Sequence, residues 1–217
     1  MPIRVLLAED HVLVRRGVRS LLAATSDIEV VGEASDGREA VALAESLAPD
    51  VVVSDLAMSG MNGMEATRQI LKARPRTRVI ILSMHGEREY VFEALRAGAV
   101  GYLLKSSSDS ELVTAVRRVV EGHTYLAQAL EGIALTDYIM HSRLETKSNR
   151  LEKLSARERE VLQLIAEAKS GTEIAAILHI SAHTVDTHRR HIMEKIDAHN
   201  IVELVKFAIK HGVIDPS

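Results

Sequence analysis

Val51-Val52-Val53-Ser54-Asp55-Leu56-Ala57-Met58 is a short β-branched run that closes on a carboxylate. Outward from it the same design recurs. Val5-Leu6-Leu7-Ala8 closes on Glu9 and Asp10, Ile81-Leu82 on Ser83, and Tyr102-Leu103-Leu104 on Lys105. In an open parallel sheet the C-terminal ends of the strands gather in one crevice, where such folds bind ligands. Side chains from distant parts of the chain would therefore meet there.

The spacing predicts strands over 3–8, 28–34, 51–54, 78–83 and 100–104, with amphipathic helices near 12–24, 37–47, 63–73, 87–97 and 109–121. Five βα units imply an α/β fold, a doubly wound five-stranded parallel sheet with helices on both faces. Residues 122–150 lack strand runs and become polar toward 142–150. They read as a linker, helical around 126–140 and then hinge-like. Beyond it lie four helical patterns and no strand, near 155–168, 171–178, 182–196 and 200–211. Ser155 with Glu158 forms a capping-box signature, and Ser181 is placed to cap the third helix. The expected organisation is a first domain over 1–121, a linker over 122–150 and a small all-α four-helix domain over 151–217.

The 217 residues are 47% hydrophobic and 26% charged, a globular composition able to bury two cores. With no cysteine there is neither a disulfide framework nor a thiolate metal site, which suits a reducing cytosol. The run after Met1-Pro2-Ile3-Arg4 meets Glu9 too soon for a signal-peptide core, and no apolar run reaches the ~18 residues of a membrane span. A cytoplasmic protein without membrane contact is expected. Residues 1–125 carry 15 basic and 17 acidic side chains and residues 126–217 carry 12 and 13, so neither half is a basic block. Nucleic-acid binding must rest on local placement. Phe and Tyr together make up 3% of the chain, too few for a platform that stacks unpaired bases.

Glu9, Asp10 and Asp55 would concentrate negative charge that repels unless protons or a cation intervene. A hard divalent ion fits, because magnesium takes carboxylate, water and phosphate oxygens. Ser83 adds a hydroxyl and Lys105 a fixed cation to the same edge. His11, directly after Asp10, reads as a helix-start residue. A nucleotide-binding enzyme would need a glycine-rich turn after the first strand, where Ala8-Glu9-Asp10-His11 stands instead.

Ala8-Glu9-Asp10, Ser54-Asp55-Leu56-Ala57-Met58, Ile81-Leu82-Ser83-Met84 and Gly98-Ala99-Val100-Gly101-Tyr102-Leu103-Leu104-Lys105 together resemble the flavodoxin-like receiver domain of two-component response regulators. The resemblance covers residues 3–121. It implies that Asp55 takes a phosphoryl group from a sensor histidine kinase, and that Glu9, Asp10, Asp55 and the Ala57 carbonyl position Mg2+. Lys105 and Ser83 would hold phosphoryl oxygens, and Tyr102 matches the aromatic that moves with Ser83. Such a domain assists only its own phosphorylation and dephosphorylation and is not otherwise an enzyme. Ser59 departs from the family, which usually has proline there, and this implies a more mobile loop. Ala57 and His85 stand where the family tunes dephosphorylation.

At 100° per residue, Val185, His188, Ile192 and Ile196 share one face of the third helix of the second domain. His183, Thr187, Arg190 and Glu194 take the opposite face. A packed stripe opposite hydrogen-bonding tips suits major-groove reading, with arginine matched to guanine. Leu154-Ser155-Ala156-Arg157-Glu158-Arg159-Glu160-Val161-Leu162, Glu173-Ile174-Ala175, Ile180-Ser181 and Thr184-Val185-Asp186-Thr187-His188 resemble the helix-turn-helix of the LuxR/NarL/FixJ class. That resemblance makes 182–196 the recognition helix, with Asp186, Thr187 and Arg190 toward bases and Thr184 and Arg189 toward phosphates. Asp186 and Thr172 stand where lysine is common, so double-stranded DNA should be held weakly by one copy and better by a homodimer. The final helix presents Val205, Ala208 and Ile209, and in the family this helix pairs across the dimer; core packing is the competing explanation. The implied partners are the kinase, DNA, a second copy and, at a promoter, RNA polymerase. The alternative is an atypical receiver governed by protein contacts rather than by phosphate.

Overall fold

A computed structural model describes residues 1–133 and 150–214. The chain divides into two compact units, residues 1–134 and 135–217.

The first unit alternates strand and helix: β1 Ile3–Ala8, α1 Val12–Ala23, β2 Ile28–Ala34, α2 Gly37–Leu47, β3 Val51–Asp55, α3 Gly63–Ala73, β4 Arg78–Ser83, α4 Arg88–Arg96, β5 Gly101–Leu104 and α5 Asp109–Val120. All strand pairs are parallel, in the order β2-β1-β3-β4-β5. Alternate side chains of each strand enter separate cores, as a pleated strand requires. Leu6, Ala8, Val52, Ile81 and Tyr102 pack with Ala40, Ala44, Met64, Ile70, Val91 and Ala94 of α2, α3 and α4. Val5, Leu7, Val53, Ile80, Leu82 and Leu103 pack on the other face with Leu22 of α1 and with Leu112, Ala115, Val116 and Val119 of α5. Asp36 caps α2 and Asn62 caps α3 through their side-chain oxygens, supplying acceptors to orphan helix amides.

The sheet carries one strand more than expected. Tyr125–Leu126, β6, pairs with β5 at the edge and extends the order to six. Ala127 and Leu130 then enter the first core, so this unit continues past Glu121. A two-residue strand leaves no alternation to detect, and its pairing is set by the Tyr125 amide on the Val100 carbonyl and the Ala127 amide on the Tyr102 carbonyl. Gln128–Ile133 follows as a 3-10 helix, so the described part of the expected 126–140 helix is strand and 3-10 turn. The remainder of that helix and residues 142–149 of the hinge lie outside the described residues.

The second unit is all helical in its described residues: α6 Ala156–Ala166, α7 Gly171–Leu178, α8 Ala182–Ile196 and α9 Ile201–Lys210. Capping boxes at Ser155/Glu158 and Ser170/Glu173 start α6 and α7, while Ser181 and Asn200 cap α8 and α9. His179, at φ 53°, and Asp197, at φ 59°, end α7 and α8 in the left-handed conformation that stops a helix. Val161, Leu162, Ile165, Ile174, Leu178, Val185, Ile192, Ile196, Leu204 and Ala208 form the core.

Candidate functional site

The register fixes where the carboxylates meet. Ala8 of β1 stands opposite Ser54 of β3, so Glu9 and Asp10 leave β1 beside Asp55, the last residue of β3. Gly63 holds that end from below: a Cβ there would lie 2.0 Å from the Asp55 carbonyl oxygen, so only glycine lets α3 begin this close. The Gly63 amide donates to the Leu56 carbonyl and fastens the loop.

Ligand atoms of Glu9, Asp10, His11 and Asp55 all lie within 4.8 Å of one another. Glu9 and Asp55 are buried, while Asp10 is half-buried. Lys105, from the end of β5, spans the cluster, its Nζ 2.8 Å from Glu9 Oε2 and 2.9 Å from Asp55 Oδ2. Burial pushes the Asp55 carboxyl up to about 6, with the Glu9 charge adding to the rise and Lys105 opposing it. Burial works against the Lys105 charge, but its bonds to Asp55 and Glu9 prevail and hold its pKa above the ordinary value. The Ala57 amide approaches Asp55 Oδ1 at 3.4 Å.

Ser83 and Tyr102 form a second group behind the cluster. Ser83 Oγ accepts from the His85 amide at 3.0 Å. The Tyr102 hydroxyl donates to the His85 carbonyl at 2.8 Å, with its side chain fully buried. Burial raises the phenol pKa far above its usual value, opposed by the Ser83 hydroxyl. The His85 ring stacks on Tyr90 with centroids 4.4 Å apart, so one loop residue joins Ser83, Tyr102 and α4.

His11 and Ser59 make contacts with the carboxylates beyond those expected of them. His11 does start α1, as its N-cap residue, yet it makes no side-chain cap; its Nδ1 sits 3.1 Å from Glu9 Oε1 and 2.9 Å from Asp10 Oδ1. Ser59, read only as a missing proline, offers both its amide and its hydroxyl to Asp10 Oδ2, each at 3.3 Å. Proline could offer neither. The adjacency of His11 to Asp10 was the available signal for the first; the second depends on how the loop folds back.

In the second unit Val185, Ile192 and Ile196 of α8 are buried and His188 is half-buried, matching the packed stripe. Asp186, Arg189 and Arg190 are exposed, and among the described residues none of them forms an ion pair. Thr187 is half-buried and returns its hydroxyl to the His183 carbonyl at 3.0 Å. Thr184 is engaged at the helix start, its hydroxyl 2.8 Å from that of Ser181. A depression of about 440 Å³ along α8 is lined by both signs of charge, Arg189 and Arg190 with Asp186, Glu194 and Asp197. Arg150 holds the other end of this helix: its guanidinium donates to the Ile196 carbonyl at 2.6 Å and lies 3.4 Å from Asp197. Of the two readings of α9, core packing holds for Ala208, which belongs to the unit's own core with Leu204. Among the apolar residues of α9 the neighbouring Ile201 and Val202 are exposed, with Val205 and Ile209 partly so.

Residues 5–117 match the model of the response regulator receiver domain, and residues 152–208 match that of the bacterial regulatory proteins of the luxR family. The chain is a two-component response regulator with a LuxR-type DNA-binding domain. Response regulators of this kind regulate transcription and are not catalytic enzymes. The oxygen regulatory protein NreC of Staphylococcus haemolyticus is 38% identical over 98% of this regulator and 99% of its own length. The response regulator protein VraR of Staphylococcus aureus is 39% identical over 99% and 100%. Among solved structures, the RcsB–DNA complex resembles this response regulator with a TM-score of 0.58 at 26% identity, covering 97% of this chain and 99% of that one. Receiver membership implies a kinase partner, and the helix-turn-helix implies DNA. Among the described residues no helix is long and apolar enough to cross a membrane.

Proposed function

We propose that Asp55 accepts a phosphoryl group from a sensor histidine kinase and that the resulting change controls dimerisation and sequence-specific DNA binding in the cytoplasm. The observation that carries this reading is Lys105 Nζ lying within 3 Å of both Asp55 and Glu9. A fixed cation beside a buried carboxylate is suited to neutralising charge as a phosphoryl group arrives, the main task in this chemistry. In the step itself a carboxylate oxygen of Asp55 bonds to phosphorus as the phosphorus–nitrogen bond of the donor histidine breaks.

The residues present fit a divalent cation. Glu9 Oε2 and Asp10 Oδ1 are buried and converge on one point, facing Lys105 Nζ at 2.8 Å and His11 Nδ1 at 2.9 Å, and the donor set includes three carboxylates. Glu9, Asp10 and Asp55, with the Ala57 carbonyl, would hold Mg2+, which supplies charge neutralisation when bound. Lys105 and Ser83 hold phosphoryl oxygens. Ser83 then ceases to accept from His85, and Tyr102, bonded to the same residue, senses the change. A bound group shifts such an equilibrium only by its unequal interaction with the two states.

At the output, Asp186, Thr187 and Arg190 face bases while Thr184 and Arg189 face phosphates, and two copies read half-sites about one turn, ~34 Å, apart. The testing variant is Asp55→Ala with acetyl phosphate as donor. Phosphodonor-stimulated dimerisation and DNA binding should disappear, and stimulation of the variant equal to wild type would sink the assignment.

A further inference from the structure

His11 is the one member of the cation cluster that is not a carboxylate. Its ring is 69% exposed, makes no cap for α1, and leans back over the strand end. Nδ1 is 3.1 Å from Glu9 Oε1 and 2.9 Å from Asp10 Oδ1. Neighbouring ligands about one six-coordinate ion with bonds near ~2.1 Å are themselves separated by about 3 Å. The imidazole nitrogen, which hydrogen-bonds Glu9 Oε1 here, thus also has the spacing of a further ligand. Its backbone is tied down as well: the His11 amide donates to Glu9 Oε1 at 3.1 Å, and Arg15 bonds the Glu9 carbonyl.

Oxygen-only sites suit magnesium, whereas an imidazole nitrogen favours first-row transition ions, whose affinities exceed that of magnesium at nitrogen-containing sites. We propose that His11 supplies a nitrogen ligand to the cation held by Glu9, Asp10 and Asp55, so that the receiver takes Mn2+ in preference to Mg2+. The inference rests on the cation-site reading above. It adds the ligand class and the metal selectivity.

The test uses the full chain in its wild-type, His11→Ala and Asp10→Asn forms. Binding of Mn2+ is followed by loss of the free-ion electron paramagnetic resonance signal, and Mg2+ competition gives the preference. Pulsed spectra report whether nitrogen is bound. The expected result is a preference for Mn2+ that falls about tenfold or more in His11→Ala, the scale on which ligand-shell changes act. Nitrogen modulation should be present in wild type and absent in that variant. Competitive binding lost in Asp10→Asn but unchanged in His11→Ala, without nitrogen modulation in wild type, overturns the role of His11 and leaves the cation site standing. Absence of Mg2+-competitive Mn2+ binding in wild type, or its persistence in Asp10→Asn, overturns both. His11→Gln, which keeps a polar side chain without the imidazole, is expected to behave as His11→Ala; full retention of the preference there would also overturn the proposal.

Discussion

Lys195, near the end of α8, closes on both carboxylate oxygens of Glu158 at the start of α6, at 2.8 and 2.7 Å. Glu158 is buried and also completes the cap with Ser155. Burial pushes its carboxyl up, but the bonds from Lys195 and Ser155 outweigh this and leave its pKa lowered. A carboxyl lowered on folding contributes stability above its unfolded pKa, about 4.3, and loses it as pH falls through the folded value. Lys195→Met should therefore destabilise the second unit by about 1–3 kcal/mol at pH 7, because it strands a buried charge, with the difference shrinking at acid pH. Thermal melts of the full chain at pH 7 and pH 3.5 check this; a difference independent of pH would contradict it.

Asp55 carries the opposite sign. Its carboxyl rises on folding from 3.8 to about 6, so the folded state holds a proton that the unfolded state has released across that window. Stability is then lost as pH rises from about 4 to about 6. Asp55→Asn escapes this loss. Without divalent ions the variant should be more stable than wild type at pH 7.5 by about 1–2 kcal/mol, and by much less near pH 4. Denaturant titrations at the two pH values decide it, and a variant less stable at pH 7.5 would refute the expectation.

Asp186 and Arg190 sit four residues apart on an exposed face. Arg190→Ala should cost about 1–3 kcal/mol at the cognate site. Asp186→Lys replaces an anion by a cation on the DNA-facing side, so binding to unrelated DNA should strengthen and the slope of log K against log salt steepen by about 1. Fluorescence anisotropy between 50 and 200 mM salt measures both; an unchanged slope would remove Asp186 from the interface.

Val202 is 57% exposed on α9, and Val205 and Ile209 follow it at helical spacing. Val202→Glu should leave the melting of the second unit within about 0.5 kcal/mol, as expected for a surface change. It should weaken phosphodonor-induced dimerisation by about tenfold. Sedimentation across a concentration series reads the second effect, and intact dimerisation would move the interface elsewhere.

The strand ends were legible because each is a short apolar run closing on one chemical group; β1, β2, β4 and all of α2, α3, α7 and α8 lie at the residues the pattern predicts. β6 was not, since two residues joined to an edge by backbone bonds leave no periodic trace. The cation cluster could be assembled from Glu9, Asp10, Asp55 and Lys105 because parallel topology alone brings those ends together. The imidazole of His11 left only its adjacency to Asp10 as a signal, and the contact of Ser59 with Asp10 depends on how the loop folds back. Lys195 and Arg150 escaped for a related reason: each acts on a partner some 40 residues away, by 37 positions for Lys195 and 46 for Arg150. Ala208 shows the limit of a helical wheel, which reports an apolar stripe without saying which body covers it.

Arg150 grips the last carbonyl of α8. A pull or twist delivered at position 150 therefore reaches Ile196 through this guanidinium as well as through the buried Leu151, six to ten residues along α8 from the Arg190 and Asp186 proposed to meet bases.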